Sequence, residues 1–284
     1  MIENVEKLSV KPHFNNTIFS ANNILSGSMK LLFTILLIGQ WVFVYYLLLA
    51  YGSSALDGNL ADWNKMMPHG HVAGDTVGNL AVFIHIVIAF IIMGIGPIQF
   101  IPMVRNRFPR FHRWNGKVYL STAVLTSLVG LYMINTRGSV GGLAQYLGIS
   151  LDAVLILIFA YLSYRFAVKR QLKIHRQWAL RLFVVASAVW FYRVGLMFWL
   201  AINGGPVGID FETFTGPFLS FLAFAQYLIP LGILEMYLRI KERGGSTTKI
   251  VLAIILVLSA LVIAFGVFVA YKGLWLPKIE LINI

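Results

Sequence analysis

Seven apolar stretches, each about as long as a bilayer is thick, dominate this chain of 284 residues. A hydrocarbon core roughly 30 Å thick is crossed by about 20 helical residues, because each residue adds about 1.5 Å. Stretches of that length lie at about 30–51, 79–103, 118–136, 150–168, 178–202, 216–238 and 250–271. The chain is 58% hydrophobic and only 12% charged, which exceeds what a water-soluble core requires. The sequence therefore predicts an integral membrane protein.

The fold class follows from the behaviour of the backbone in lipid. N–H and C=O groups within hydrocarbon must pair inside a helix or a closed barrel, and the alternating strands of about ten residues that build a barrel do not occur here. We therefore predict an all-α, polytopic transmembrane helix bundle of about seven helices. Residues 1–29 are expected to form a cytoplasmic N-terminal tail, and residues 30–284 a single seven-helix transmembrane domain with a four-helix core at about 79–202.

Lysine and arginine are distributed unequally between the two sides of these helices. Most of the 23 basic residues fall in the N-terminal tail or beside the second, fourth and sixth interhelical loops. The exceptions are Lys65, Arg137, Arg193, Lys272 and Lys278. The positive-inside rule therefore predicts a cytoplasmic N-terminus and an external C-terminus. The acidic residues expected on the external side are Asp57, Asp62, Asp75, Asp152, Asp210 and Glu212.

The net charge of +12 is explained by this topology. Basic loops at the cytoplasmic face attract anionic lipids of the bilayer, so the expected partner of the charge is the membrane. No nucleic-acid partner is predicted, because membrane topology and the interaction with anionic lipid already account for the positive charge.

The chain contains no cysteine. This excludes disulfides, thiolate metal sites, cysteine-ligated iron–sulfur clusters and covalently attached c-type haem. A methionine and histidine set in one predicted external loop is compatible with copper, and its members are Met66, Met67, His69 and His71. Such residues often coincide in one loop by chance, and no metal site is predicted from them.

Two basic segments, "RNRFPRFHRWNGKVYL" and "KIHRQWALRLF", each carry a His-Arg pair near the predicted start of a helix. The pairs are His112 with Arg113 and His175 with Arg176. Both histidines are expected at the same cytoplasmic depth, where two imidazoles on facing helices can ligate one haem iron while the arginines neutralise its propionates. The alternative is that these residues anchor the helix ends at the interface and bind anionic lipid.

Arg193 lies inside the fifth apolar stretch. An arginine at such a depth costs about 2.5 to 3.5 kcal/mol on insertion scales, so it should face the bundle interior and have a partner. We predict a ligand cavity lined by His85, Arg193, Gln226 and Gln99, suited to a small anionic ligand or to a carbonyl-bearing one such as a quinone head group. The alternative is a hydrogen-bonded cluster that only locks the helices together.

The segment "HIVIAFIIMGIGPIQFIPMVRNRFPRFHRWNGKVYL" resembles the core signature of a family of bacterial multi-pass proteins classed as predicted membrane proteins of unknown function. "KIHRQWALRLF" and Arg193 resemble the family's second half, so the resemblance covers about residues 80–200. It implies a multi-pass protein of the bacterial cytoplasmic membrane and no particular activity. The positions that carry the first half are His85, Gly94, Gly96, Pro97, Gln99, Phe100, His112, Arg113, Gly116 and Tyr119.

A looser resemblance is to the transmembrane b-type cytochromes that are reduced by ascorbate or quinols. Their haems are held by histidine pairs from two helices at similar depth, and His112 with His175 is similar to one such pair. His85 lies about six residues, or about 9 Å, below the opposite surface, where no other helix offers a histidine. The resemblance therefore implies at most one haem b and argues against a two-haem relay.

Two classes of function are consistent with these features. The first is a redox module that binds one b-type haem or a quinone. The second is a non-catalytic membrane protein, either a small transporter built around an Arg193-centred polar cavity or an assembly factor for membrane complexes. The sequence leaves open whether the protein is an enzyme.

Overall fold

The computed structural model describes residues 20–67 and 69–281, and this part of the chain is helical apart from turns and one isolated bridge between Asp210 and Thr215. Six helical spans are long and apolar enough to cross a membrane, and a bent pair of helices makes up to seven. The prediction of an all-α transmembrane bundle of about seven helices is confirmed. Most of the predicted tail, residues 1–19, lies outside the described residues.

The helices are numbered in chain order. The six continuous spans contain α1 (Ala21–Leu47), α4 (Thr76–Ile95), α6 (Pro109–Thr136), α7 (Gly142–Val168), α10 (Pro217–Arg243) and α11 (Ser246–Ala270). The bent pair is α8 (Leu172–Ala186) and α9 (Ala188–Asn203), which meet at 51°. The short helices are α2 (Ser53–Leu56), α3 (Trp63–Met66), α5 (Pro102–Arg107) and α12 (Leu276–Glu280).

Helix ends extend beyond the apolar stretches. α1 begins at Ala21, where the Ser20 hydroxyl accepts a hydrogen bond from the Asn23 N–H, so residues 21–29, predicted to belong to the cytoplasmic tail, lie in the helix. α1 continues through a π-helical turn, Leu48–Gly52, into α2, and α11 continues through another, Tyr271–Trp275, into α12. Capping and polar helix formers set these ends, whereas the apolar stretch marks only the part that lies in hydrocarbon.

The start of α6, the α7–α8 junction and the α10–α11 junction lie at one end of the bundle, which we call the basic end. The other is called the opposite end. Pro97 starts a 3-10 turn, Pro97–Phe100, that ends α4 at the basic end. A Cβ at Gly96 would collide with the Tyr119 ring, so glycine lets α6 approach here. The predicted helix 79–103 therefore stops at Ile95, because proline lacks the N–H that would continue it.

The bend between α8 and α9 is fixed by hydrogen bonds to α1. The Ser187 hydroxyl donates to the Phe183 carbonyl at 2.7 Å and accepts from Gln40 Nε2 at 2.9 Å. One turn further on, Trp190 Nε1 donates to the Gly39 carbonyl at 3.3 Å. The predicted single helix 178–202 is therefore two helices, whose junction is buried against α1.

Gly148 of α7 lies directly against α10. A Cβ at this position would come within 2.6 Å of the Ala223 carbonyl oxygen, a contact that cannot form without moving one helix. We expect Gly148→Ala to lower the free energy of unfolding by about 1–3 kcal/mol through overpacking. Thermal or denaturant unfolding in detergent measures the change.

Gly130 of α6 provides the matched control. A Cβ there has nothing within 4 Å, so Gly130→Ala should be neutral or slightly stabilising because alanine favours helix. Equal effects of the two substitutions would contradict the close contact between α7 and α10.

Arg137, at the opposite end, connects the end of α6 to the loop before α4. Its Nε and Nη2 donate to Asp75 Oδ2 at 3.1 and 2.6 Å, and its Nη1 donates to the His69 carbonyl at 2.9 Å. Asp75 Oδ1 also accepts from the Gly78 N–H at 2.8 Å and caps α4. The hydrogen bonds from Arg137, followed by that from Gly78, hold the pKa of Asp75 below its ordinary value.

Acidification should weaken this connection. Folding lowers the pKa of Asp75. The stabilisation by its carboxylate is therefore fully present above the pKa of an unfolded aspartate, about 3.9. It is lost as the pH falls through the lower pKa that Asp75 has in the folded protein. We expect the thermal midpoint of the wild type to fall between about pH 4 and pH 3. Asp75→Asn should start from a lower midpoint and fall less steeply.

Asp57 serves as the control for this acid titration. It is exposed, and its side chain makes no hydrogen bond within the described residues, so Asp57→Asn should retain the wild-type dependence on pH. A wild-type slope in Asp75→Asn would show that the interaction with Arg137 does not contribute to stability.

Candidate functional site

Arg193 of α9 is directed towards α1 and lies among other helices. Its Nη1 donates to the Val189 carbonyl at 3.1 Å, and its guanidinium carbon lies 5.4 Å from the centroid of the Phe43 ring. None of the ion pairs formed by the described residues includes Arg193. The guanidinium therefore has an aromatic and a backbone partner but no carboxylate partner in this part of the chain.

Other polar groups converge on the same place. Arg193 interacts electrostatically with His85 of α4, with Lys278 of α12, with Tyr46 of α1 and with Tyr51 in the adjoining π turn. His85 Nδ1 is buried and has no hydrogen-bond partner among the described residues. The cations Arg193 and Lys278 thus interact with each other, and neither forms an ion pair with a carboxylate of the described residues, so the site is electropositive.

Aromatic rings form one wall of this site. The Trp275 ring centroid lies 5.3 Å from that of Phe43 and 6.1 Å from that of Tyr46. Trp275 is fully buried, yet its Nε1–H has no hydrogen-bond partner within the described residues. The indole of Trp63, by contrast, donates to the Tyr51 carbonyl at 3.2 Å. A free N–H donor therefore lies next to the aromatic ring that the guanidinium contacts.

We call these residues the Arg193 cluster; its members are Phe43, Tyr46, Tyr51, His85, Arg193, Trp275 and Lys278. Sequence reasoning missed Trp275 and Lys278, because they follow the last apolar stretch and were assigned to an external segment. The sequence did contain one signal, which is Trp275 just beyond the last apolar stretch. Tryptophan side chains commonly lie at the membrane interface.

The two predicted glutamines do not join this cluster. Gln226 is buried on α10, where its Nε2 donates to the Ala223 carbonyl at 2.8 Å, and within the described residues it has no hydrogen bond to Arg193 or His85. Gln99 lies in the 3-10 turn at the basic end. Gln99 does not lie in the Arg193 cluster, because Pro97 ends α4 and the turn that follows places Gln99 at the basic end.

The methionine and histidine set is also dispersed. The Met66 sulfur is buried and accepts from the Tyr46 hydroxyl at 3.7 Å, and the Met66 carbonyl accepts from Lys278 Nζ at 2.6 Å. Among the described residues, no three His, Cys, Asp or Glu side chains are grouped so that they could hold a metal ion. Met66 therefore packs against the Arg193 cluster.

At the basic end, Gln99 fixes the ring of His112. The oxygen and nitrogen of the Gln99 amide are assigned from their hydrogen-bond partners. In the orientation that satisfies those partners, Oε1 accepts from the Gly116 N–H at 2.9 Å and from Asn115 Nδ2 at 2.7 Å, and Nε2 donates to His112 Nδ1 at 2.7 Å. An accepting imidazole nitrogen carries no hydrogen, so the neutral ring has its proton on Nε2. The Nε2–H of His112 is thus a hydrogen-bond donor.

Ser163 fixes His175 in the other tautomer. His175 Nδ1 lies 2.8 Å from the Ser163 carbonyl, which can only accept, so Nδ1 carries the hydrogen and Nε2 has a free lone pair. The two histidines interact electrostatically, while Arg113 and Arg176 are exposed beside them. The predicted cofactor-binding residues therefore lie at one end, with one imidazole as a donor and the other as an acceptor.

Glu235 forms a different ion pair from the one its spacing indicates. A glutamate four residues before Arg239 predicts a pair along one helix, but Arg181 of α8 donates to both Glu235 oxygens, from Nε at 2.5 Å and from Nη2 at 3.0 Å. Arg181 also lies 4.4 Å from the Trp178 ring centroid. The prediction is wrong because a two-point interaction across helices offers stronger, charge-assisted hydrogen bonds.

Double-mutant cycles distinguish the two pairings. Substitutions Arg181→Gln and Glu235→Gln should be coupled by about 0.5–3 kcal/mol in the free energy of unfolding, as residues in direct contact are. The matched cycle of Arg239→Gln with Glu235→Gln should show little coupling. The reverse result would contradict the bidentate pair.

Comparison with known proteins identifies one family. The model of a family described as predicted membrane protein (DUF2306) matches residues 82–229, just over half of the chain. The matched range includes Arg193 and both histidines of the basic end. No curated protein and no solved structure matches the chain.

Proposed function

This chain belongs to the family of predicted membrane proteins DUF2306, and we propose that it binds a small anionic or carbonyl-bearing molecule in the Arg193 cluster. The family's description assigns no activity, so the proposal is drawn from the geometry. The observation that carries it is a guanidinium within a membrane-spanning helix that lacks a carboxylate partner among the described residues.

The hydrogen-bonding capacity of this guanidinium is mostly unused. Arginine has five N–H donors, and a single one of them, on Nη1, donates within the described residues. Charged groups at such a depth face the bundle interior or a cavity and mark substrate or ion pathways. An oxyanion or a carbonyl oxygen would accept from the free donors and, if charged, would also neutralise Arg193 beside Lys278.

The aromatic wall favours a flat ligand. Phe43, Tyr46 and Trp275 present rings within about 6 Å of each other, and the unpaired indole N–H of Trp275 supplies a second donor. A quinone head group, with a planar ring and two carbonyl oxygens, matches this combination of ring faces and donors. A carboxylate matches the charge alone.

The proposed setting is the bacterial cytoplasmic membrane, with the Arg193 cluster towards the external side. This orientation comes from the positive-inside distribution of lysine and arginine. Binding at this depth is also the first step that a small transporter would need, so the proposal covers the transport alternative as well as quinone binding.

Ligand-dependent unfolding tests the proposal with two probes, a quinone with a ten-carbon tail and decanoate. At a free concentration of 100 times the dissociation constant, a bound probe should stabilise the wild type by about 2.7 kcal/mol. Arg193→Gln should abolish this stabilisation. Trp275→Phe keeps the ring but loses the N–H, and should weaken quinone binding by about 0.5–1.5 kcal/mol.

Arg239→Gln is the matched control, because it removes an arginine from the basic end. It should leave the stabilisation by either probe unchanged. If neither probe stabilises the wild type, or if Arg193→Gln retains full stabilisation, the Arg193 cluster is not the binding site.

A second candidate is one b-type haem at the basic end, which the position of His175 favours. A ligating imidazole typically donates its other N–H to a carbonyl or carboxylate, as His175 does to Ser163. In this arrangement the proton of His112 is on the ring Nε2, which therefore has no lone pair for a metal. Ligation through this atom would require the proton to move to His112 Nδ1 and the Gln99 amide to rotate, so that the amide oxygen accepts from Nδ1. The exposed Arg113 and Arg176 would hold the propionates, and the haem would supply one-electron transfer.

The visible spectrum of protein from haem-replete cells tests this second candidate. It predicts a Soret band that is lost in His175→Ala and in His112→Ala. Gln99→Ala should keep or increase the band, because His112 is then free to change tautomer. A colourless wild-type preparation would rule the haem out.

A further inference from the structure

Asp152 lies inside the membrane-spanning part of α7. The sequence predicts that it lies on the external side, because the fourth apolar stretch begins at about residue 150. α7 begins at Gly142, which puts Asp152 ten residues, or about 15 Å, along the helix. Only 8% of the residue is exposed, so its carboxyl group is directed into the bundle.

The carboxyl group of Asp152 and the hydroxyl group of Tyr227 are both left without partners. Asp152 Oδ1 and the Tyr227 hydroxyl oxygen are buried and have no hydrogen-bond partner among the described residues. Tyr227, on α10, is fully buried and interacts electrostatically with Asp152. Two unsatisfied polar groups thus lie near each other where α7 meets α10.

No described cation is available to neutralise Asp152. α7 packs against α6, α8 and α10, and α10 presents Tyr227 to it. The partly buried cation of α8, Arg181, is paired with Glu235, and the lysine and arginines of α6 are exposed at the basic end. An ionised carboxylate held in this way would be strongly disfavoured, whereas the protonated acid is neutral and can donate its O–H.

We propose that Asp152 and Tyr227 form a proton-binding site in the middle of the membrane, with Asp152 carrying the proton and Tyr227 as its hydrogen-bonding neighbour. The reaction is the reversible dissociation of the Asp152 carboxylic acid into a carboxylate and a proton. The two groups form no hydrogen bond in the structure. When they approach each other, the Tyr227 hydroxyl can accept the O–H of the acid and can donate its own O–H to the carboxylate.

The buried face of α7 connects this site with both ends of the bundle. Gln145, Asp152 and Ser163 share that face and extend over 18 residues, or about 27 Å. Gln145 Nε2 donates to the hydroxyl of Tyr192, the neighbour of Arg193, at 2.7 Å, and the Ser163 carbonyl holds His175. A proton on Asp152 therefore lies between the two polar regions and does not depend on whether either binds a ligand.

Infrared difference spectroscopy tests the proposal on the full chain in phosphatidylcholine and phosphatidylglycerol vesicles. We expect a carbonyl stretch of a protonated carboxylic acid at about pH 7, where an ordinary aspartate is ionised, and we expect it to shift in D2O. Asp152→Asn should remove this band. Tyr227→Phe should move its frequency, because the acid loses its hydrogen-bonding neighbour.

Glu212→Gln is the control, because it removes an exposed carboxylate at the opposite end and should leave the band unchanged. Asp152→Glu, which retains an acid, should restore a protonated band even if Asp152→Asn folds poorly. No protonated band in the folded wild type, or a band unaffected by Asp152→Asn, overturns the proposal. A band that disappears when Na⁺ replaces K⁺ at constant pH also overturns it, in favour of a sodium site.

Discussion

The need to satisfy every backbone N–H and C=O within hydrocarbon shapes this protein. It makes the spanning segments helical, and it also means that polar side chains must find partners on other helices. Gln40 with Ser187 and Arg181 with Glu235 show that this chain can form such pairs. Against that background, polar groups left without partners within the described residues indicate places where the sequence has not been optimised for stability alone.

Such groups occur at both ends of the bundle, and at the basic end they are Asn115 Oδ1 and the Tyr119 hydroxyl among the described residues. There, Gln99 bonds to His112, and Ser163 bonds to His175. In the middle of the bundle and towards its opposite end, the described residues offer Arg193 no acidic partner and offer the Trp275 N–H and Asp152 Oδ1 no hydrogen-bond partner. An unpaired donor or acceptor in a dry interior is costly, and the bound molecule and the proton that we propose would each supply the partner that packing does not.

Part of the missing detail was present in the sequence. Leu143, Leu147 and Leu151 form an exposed apolar stripe at helical spacing, which indicates that α7 begins well before residue 150 and that Asp152 lies on the other face. Hydropathy alone does not show where α7 begins or which face carries Asp152, because it averages over both faces of a helix. The sequence could not predict the partner of Glu235 in the same way. Both Arg239 and Arg181 are arginines, and only the packing of the helices shows that Arg181 is the one that contacts Glu235.

The sequence by itself determined the class of protein, the approximate number of spans and the segregation of basic residues to one end, because these depend on the transfer of each segment between water and lipid. Tertiary structure alone decided that Gln99 serves His112, that Trp275 and Lys278 join Arg193, and that Asp152 meets Tyr227. These contacts depend on where helices end, bend and rotate, and those features are set by interactions between residues far apart in the chain.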